Sequence, residues 1–437
     1  MTKQKLAVIC VASALLMQSS LCIANAQADS GDSSQLIFAL ILTRHGVRSP
    51  TGSVDKLKQY SANEWPQWEV PPGYLTPRGS QLMTLFGKYY REYFAKSGLL
   101  QPSGCGDAAS VVFLADSDQR TVATGKALAE GILPGCDVTV RASPEGTHDP
   151  LFHSLSAGVG HPDNTLAAAA LSGRIGDDPA ALVDVYAPTL KTMEAILSQC
   201  NSSGACKEPA QSLLQIPSSI SPGSGSHLVT FRSPLSIAST VAENFQLEYT
   251  NGMPLNEVGW GHANEAIVNE MISLHTAEAD LTHRTPYLAQ AQASNLMSHI
   301  ADTLQQAVQK KKVTGALGNP GDKLLFLVGH DTNISTLAGA LGISWLIDGR
   351  RDDTPPGGAL VFEVWSQPSS HAYTVRTYYA SQTMEQMRDL EPLTLTVPPA
   401  RANIFVPGCS TADKGYSCTF SGFQQSIHAA IDPAFVR

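Results

Sequence analysis

The chain predicts an α/β fold, a mostly parallel sheet flanked by helices, with a mostly helical domain inserted into it. Two observations predict this. Three stretches repeat one order of apolar run, short polar loop and helical pattern. A long middle segment, residues 160–285, reads as mostly helical. The expected division is a signal peptide over 1–26, a discontinuous α/β domain over 27–159 and 286–437, and the helical insertion between. About 410 residues after the signal suffice for two domains, or for one large domain carrying an insertion.

At the N-terminus, Lys3 and Lys5 precede an apolar run, 6–16, and the segment ends in Ala24-Asn25-Ala26 and Ala26-Gln27-Ala28. A basic start, an apolar run too short to span a bilayer well, and small-residue cleavage sites read as a secretory signal. Its removal takes away two lysines and no acid, moving the formal charge from −9 to −11. No later segment approaches ~18 unbroken apolar residues, so the mature chain is expected off the membrane, periplasmic or secreted. An acidic chain without a basic run argues against nucleic acid and anionic membrane surfaces as partners. A small anionic substrate is the expected partner, bound by a monomer. Its site must then be a local island of positive charge.

Residues 36–42 run into Thr43-Arg44-His45-Gly46-Val47-Arg48; residues 111–115 run into Asp116-Ser117-Asp118-Gln119-Arg120; residues 324–328 run into Gly329-His330-Asp331-Thr332-Asn333. Apolar runs of this length read as strands buried on both faces, as a parallel sheet between helical layers requires. Thr76-Pro77 supplies an N-cap and a proline at the first helical position, opening a helix with Leu82, Phe86 and Tyr90 on one face. Residues 208–226, rich in Pro, Ser and Gly, predict a surface loop. Long helices are expected over 264–281 and 287–312, and a β-hairpin over 359–365 and 372–379 around Gln367-Pro368-Ser369-Ser370. Ligands of such sheets bind outside the carboxyl ends of the strands, so the three polar loops belong on one rim.

Cys10 and Cys22 leave with the signal, and Cys105, Cys136, Cys200, Cys206, Cys409 and Cys418 remain. Six thiols allow 15 connectivities. Pairing neighbours in that order is the simplest, because each loop is short and the compartment oxidising. No metal is expected: there is no C-x-x-C pair, and His148, His153 and His161 fit no usual ligand spacing.

Arg44 and Arg48 flank His45 at a strand end, and their planar forks match phosphate oxygens. Their charge disfavours imidazolium, which keeps His45 nucleophilic in acid. His330-Asp331 alone reads first as part of the cap of the next helix, supplied by Asp331, Thr332 or Asn333, and Arg120 as a lone arginine after a strand. Convergence on one rim changes that reading. Cleaving a phosphomonoester needs charge neutralisation, an in-line nucleophile and an acid for the leaving oxygen. Arg44, Arg48 and Arg120 supply the first, His45 the second and Asp331 the third, with His330 a further donor. The residues alone do not rank His45 over His330.

The chain resembles the histidine acid phosphatases, above all their bacterial periplasmic phytases and glucose-1-phosphatases. Their R-H-G-x-R-x-P signature stands as Arg44-His45-Gly46-Val47-Arg48-Ser49-Pro50, and the late H-D motif as His330-Asp331. Leu75-Thr76-Pro77-Arg78-Gly79 and Asp353-Thr354-Pro355-Pro356-Gly357-Gly358 support it, and the match runs through the mature chain in order. The resemblance implies an α/β domain with a helical insertion, no metal or cofactor, and a phosphohistidine formed on His45 with Asp331 as proton donor. It further implies substrate contacts from Arg44, Arg48, Ser49, Pro50, Thr51, Gly52, Arg120, Arg284, His330 and Thr332. Phytase relatives often carry lysine where this chain has Gly52, which weakens the case for a hexakisphosphate. A fourth disulfide of the relatives is missing with both its partners. Glu243 falls where a relative's site carboxylate would sit, although a mid-helix glutamate is ordinarily at the surface. Phytase-type hydrolysis is the leading expectation and a sugar phosphatase the alternative, with a silent binder disfavoured by the intact His45 and Asp331.

Overall fold

A computed structural model describes residues 34–51, 56–201, 204 and 206–437. The signal peptide and Gly52 lie outside the described residues. The chain opens with β1 (Gln35–Arg44), α1 (Pro77–Lys96), β2 (Val111–Ala115), α2 (Gln119–Ile132) and β3 (Val140–Arg141). There follow α3 (Asn164–Arg174), α4 (Pro179–Val185), α5 (Ala187–Ser198), the ribbon β4 (Ser219–Pro222) and β5 (Val229–Arg232), α6 (Pro234–Thr250) and α7 (Glu265–Arg284). Next come α8 (Pro286–Gln309), β6 (Leu324–Gly329), α9 (Asp331–Leu341) and the short β7 (Leu346–Ile347) and β8 (Arg350–Arg351). The chain closes with β9 (Ala359–Gln367), β10 (Ala372–Ser381), α10 (Met384–Asp389), β11 (Ala400–Asn403), β12 (Cys418–Thr419) and α11 (Phe420–Ala430).

The main sheet has the order β11-β10-β9-β1-β6-β2-β3, with β12 on β10. Its β1, β6, β2 and β3 are mutually parallel, as the three strand-loop-helix units require. The expected hairpin adds an antiparallel half. A short turn between β9 and β10 leaves them no other pairing, and β9 then takes the free edge of β1, so the sheet is mixed.

Period-two alternation explains why the central strands are apolar throughout. Leu40 and Leu42 of β1 and Leu325 and Leu327 of β6 face one core, with Leu296 and Ile300 of α8 and Leu337 of α9. Ala39 and Ile41, with Phe326 and Val328, face the other, against Phe86 and Tyr90 of α1 and Leu128 of α2. Each strand is thus covered on both sides by helices.

Thr76 caps α1 as expected, its hydroxyl accepting from the Gly79 amide at 2.9 Å. Gly79 also lets the helix touch the signature loop: a Cβ there would stand 2.1 Å from the Val47 carbonyl oxygen.

Residues 160–285 are mostly helical. Leu190, Leu235, Phe245, Met271 and Leu274 share a core that continues into Leu82 of α1 and Met384 and Met387 of α10. Residues 34–437 form one compact unit. The expected loop over 208–226 holds one strand of a ribbon, because Ser219–Pro222 pairs with Val229–Arg232 and half-buries Ile220 beside Phe231. The cysteines pair as neighbours, Cys105–Cys136, Cys200–Cys206 and Cys409–Cys418. No helix among the described residues is long and apolar enough to cross a membrane.

Candidate active site

Backbone register brings the three loops level. The His45 amide donates to the Gly329 carbonyl at 3.0 Å and the Asp116 amide to the Val328 carbonyl at 3.0 Å. Arg44 lies directly opposite Gly329. The rim therefore carries Arg44, His45, Asp116, His330 and Asp331 together. After His45 the chain turns against α1 and α2: the Gly46 amide donates to Thr124 Oγ1 at 2.9 Å, and a Cβ on Gly46 would stand 2.8 Å from Met83 Cγ.

His45 is 2% exposed. Its Nδ1 lies 2.9 Å from the Gly46 carbonyl oxygen, an acceptor only, so Nδ1 carries the proton and Nε2 holds the free lone pair. Burial, then Arg44, Arg48, Arg120 and His330, push its pKa well below the usual value. His45 therefore stays neutral, and able to attack, in acid. The His330 ring sits edge-on to it, centroids 5.6 Å apart.

The charges around His45 form one network. Arg44, fully buried, ion-pairs with Glu243 and with Asp331 Oδ2 (3.0 Å), and donates to the Thr354 carbonyl at 2.6 Å. Arg48 reaches the same Glu243 oxygen at 2.9 Å. Arg120 pairs with Asp118 at 2.5 Å and places Nη2 3.4 Å from His330 Nδ1. At the start of α9, Asn333 Oδ1 accepts from the His330 amide at 2.9 Å, capping the helix. Asp331 Oδ1 accepts from the Thr332 amide at 2.8 Å, which leaves Oδ2 as the oxygen paired with Arg44. Burial works to raise the Asp331 pKa, but Arg44, His275, His45 and Arg48 hold it far below the carboxylate range. Asp331 is thus ionised in the free protein.

On the other side, Asp116, fully buried, holds two imidazoles on one oxygen: Oδ2 lies 2.7 Å from His330 Nε2 and 2.9 Å from His153 Nε2. The contact orients His330 with Nε2–H toward the carboxylate and Nδ1 toward Arg120. Asp116→Asn keeps the shape and removes the charge. Charge-assisted hydrogen bonds are worth about 1.5–3 kcal/mol, so kcat should fall roughly 10- to 100-fold. A steady-state comparison checks it; a change under twofold would mean that Asp116 does not orient His330.

The other expected contacts divide. Ser49 Oγ donates to the Pro71 carbonyl at 2.6 Å, the Pro50 carbonyl accepts from the Gly73 amide, and both residues are buried. These bonds hold the loop in shape. Thr51 is exposed, beside Gly73 and Arg120 at the mouth. Thr332 follows Asp331 and lines a neighbouring cavity. The Arg284 guanidinium is buried against the Ile343 carbonyl (2.6 Å), Ser344, Asp352 and the Trp345 face.

Glu243 is the main residue that pattern reading underrates. The middle of α6 lies 199 positions from Arg44, and only burial of that helix against the rim makes its carboxylate a site group. Asp116 stands in the sequence only as part of its rim loop and His153 only as a metal ligand of unsuitable spacing, and His275 carries no local signal. Two clusters, Asp116 with Asp118, His153 and His330, and Glu243 with His275 and Asp331, bring potential ligand atoms within 4.8 Å of one another. Arg120 stands in the first and Arg44 and Arg48 in the second, so these acids are already offset by fixed cations.

Burial works to raise the Glu243 pKa, but Arg48 and Arg44 pull it down to about 2. A depressed carboxylate contributes stability that is complete above its unfolded pKa of about 4.3 and is lost as pH falls toward the folded value. Glu243→Gln should therefore lower Tm near pH 6 by several degrees, breaking a buried ion pair at a cost of about 3–5 kcal/mol. The gap from wild type should close between pH 4 and pH 2. Thermal unfolding across pH 2–6 measures it, and a gap independent of pH would refute the assignment.

The sequence profile of the histidine phosphatase superfamily (branch 2) matches residues 35–380. The chain is 34% identical over 417 residues to the phytase AppA of Escherichia coli K12, covering 94% of this chain and 95% of that one. It is 30% identical over 441 residues to a glucose-1-phosphatase of Salmonella typhimurium, covering 98% and 99%. Among solved structures, a Hafnia alvei phytase bound to tartrate superposes with a TM-score of 0.85 at 35% identity, covering 93% of this chain and 99% of that one. With the profile spanning both the signature loop and the His330-Asp331 loop, and the relatives matching nearly end to end, this chain belongs to the histidine phosphatase superfamily, branch 2.

Proposed function

We propose that this chain is an exported acid phosphomonoesterase of phytase type, working through a phosphohistidine on His45. The observation that carries the reading is a buried, neutral His45 with Nε2 free inside a ring of three arginines, one of which also holds Asp331. The phosphoryl group of the ester takes the place between Arg44, Arg48 and Arg120, whose charge offsets its oxygens. His45 Nε2 attacks phosphorus in line, the P–O bond to the alcohol breaks, and Asp331 delivers a proton to the leaving oxygen. Water then attacks the phosphohistidine, giving its proton to Asp331 and releasing phosphate and neutral His45. Because Asp331 is ionised in the free protein, it must gain its proton with the substrate. A phosphate that engages Arg44 removes the cation holding Asp331 down and adds negative charge beside it, and both raise its pKa. Export is supported by the signal pattern and the three cysteine pairs.

A second reading, glucose-1-phosphatase, is favoured by the near full-length likeness to enzymes of that name. Comparing kcat/KM for myo-inositol hexakisphosphate and glucose 1-phosphate decides between them. The phytase reading expects the inositol ester to be preferred; a preference for the sugar ester would replace it.

A further inference from the structure

His275, in the middle of α7, stands beside the two carboxylates of the site. Its Nδ1 lies 3.0 Å from Ser239 Oγ, which projects from α6 one turn before Glu243. One ring nitrogen of His275, one oxygen of Glu243 and one oxygen of Asp331 all lie within 4.8 Å of one another. Arg44 is fully buried, but the His275 residue is partly exposed, so it meets the site on one side and solvent on the other. Asp331 is ionised in the free protein, yet it needs a proton when the P–O bond breaks. Arg44, His275, His45 and Arg48 are the groups that hold it ionised. Guanidiniums do not release their protons. His45 must keep Nε2 bare to attack phosphorus, and its Nδ1 proton is held by the Gly46 carbonyl. Glu243, pulled down to about 2, has no proton to give. His275 is left, and imidazole is the side chain that both takes and gives a proton in mild acid.

We propose that His275 is a positioning residue that loads Asp331: it takes a proton from solvent as the ester binds and passes it to the Asp331 carboxylate. This rests on the reading of Asp331 as the acid and names the source of its proton. The N–H bond of the imidazolium breaks and an O–H bond forms on Asp331, directly or through one water. That O–H bond breaks in turn as the leaving oxygen gains the proton. In the second half of the cycle, the attacking water gives its proton to Asp331, which returns it to the neutral imidazole.

The surrounding charges favour this traffic. In the free protein Arg44 and Arg48 are offset by Glu243 and Asp331, and Arg120 by Asp118. A bound phosphomonoester adds at least one negative charge, and a water-poor site meets it most readily by gaining a proton. Glu243 from α6 and Asp331 from α9 draw that proton toward His275, while Arg44 and Arg48 lie beyond the two carboxylates. His283, on the same helix, does not compete, because burial lowers its pKa despite Glu278 and Asp331.

The test compares the wild-type chain with His275→Ala, with His275→Gln, which can keep a hydrogen bond to Ser239, with Asp331→Asn, and with the double variant His275→Gln/Asp331→Asn. Single-turnover labelling of His45 is followed across pH 3–7 with p-nitrophenyl phosphate and with an alkyl ester. The alkyl ester is myo-inositol hexakisphosphate or glucose 1-phosphate, whichever the wild type cleaves faster. Losing a path that feeds general-acid help of roughly 10²–10⁴ should slow the alkyl ester about five- to fiftyfold in both His275 variants, and the nitrophenyl ester by less than about twofold. Free imidazole should restore the alkyl rate in His275→Ala and leave His275→Gln unchanged. Because the two residues handle one proton, the double variant should be no slower than Asp331→Asn alone. Unchanged rates, equal losses on the two esters, a selective loss that imidazole does not relieve, or additive losses in the double variant would each overturn the role of His275. Asp331 would still stand as the acid if Asp331→Asn alone shows the leaving-group effect. If Asp331→Asn also harms both esters equally, the acid reading falls and the role of His275 falls with it.

Discussion

Replacing His45 with alanine is expected to lower turnover by roughly 10⁴-fold or more, the scale on which covalent catalysis collapses when its nucleophile is removed. The geometry makes this specific. His45 Nδ1 is occupied by the Gly46 carbonyl, so Nε2 is the only ring atom left to attack. His330 has Nε2 committed to Asp116 and Nδ1 turned toward Arg120. Quenching the wild-type protein in base during turnover of a labelled ester should leave acid-labile phosphate on His45. The alanine variant should carry none, although its arginines should still bind inorganic phosphate. His330→Ala should slow labelling without moving it. Label found on His330 in the wild type would reverse the two roles.

Asp331→Asn is expected to harm substrates in proportion to how poor their leaving group is. Without protonation the first step expels an alkoxide, and an inositol or sugar alkoxide leaves far less readily than p-nitrophenolate. The amide cannot donate an acid proton, so general-acid help worth roughly 10²–10⁴ in rate should vanish for the alkyl esters. The nitrophenyl ester should lose much less in the same step. The pH dependence follows from the charges. Asp331 is held ionised in the free protein by Arg44 and its neighbours, so the free-enzyme profile, kcat/KM, should not follow an ordinary aspartate. The proton enters with substrate, and the alkaline fall of kcat should report Asp331 in the complex. That fall should disappear in the Asn variant. Single-turnover phosphorylation rates for both esters across pH 3–7 measure it. Equal losses on the two esters would remove Asp331 from the acid role.

Much of this was legible because it is local. The apolar runs of β1, β2 and β6 name themselves as doubly buried strands, since side chains alternating between two helix-covered faces leave no position for a polar residue. Thr76-Pro77 marks a helix start through bonds made within four residues. The Arg44-to-Arg48 loop and His330-Asp331 carry their chemistry in adjacent positions. Cysteines close in sequence meet first, and they pair so. What failed to show were groups whose role depends on a partner far along the chain. Glu243 looks like any helical glutamate until α6 packs it between Arg44 and Arg48, and His153 looks like a loop histidine until Asp116 collects it.

By itself, then, the sequence determined the α/β class and the three loops on one rim and narrowed the reacting side chains to His45, His330 and Asp331, because each follows from short-range periodicity and from chemistry within a few residues. The ranking of His45 over His330 came from the family resemblance. Only the tertiary structure decided that the sheet is mixed, that Arg284 is spent on Ile343, Ser344 and Asp352, that Glu243 ties two arginines together, and that Asp331 is ionised before substrate arrives. Edge pairing, burial and charge coupling are properties of surroundings assembled from distant segments, and no local pattern encodes them.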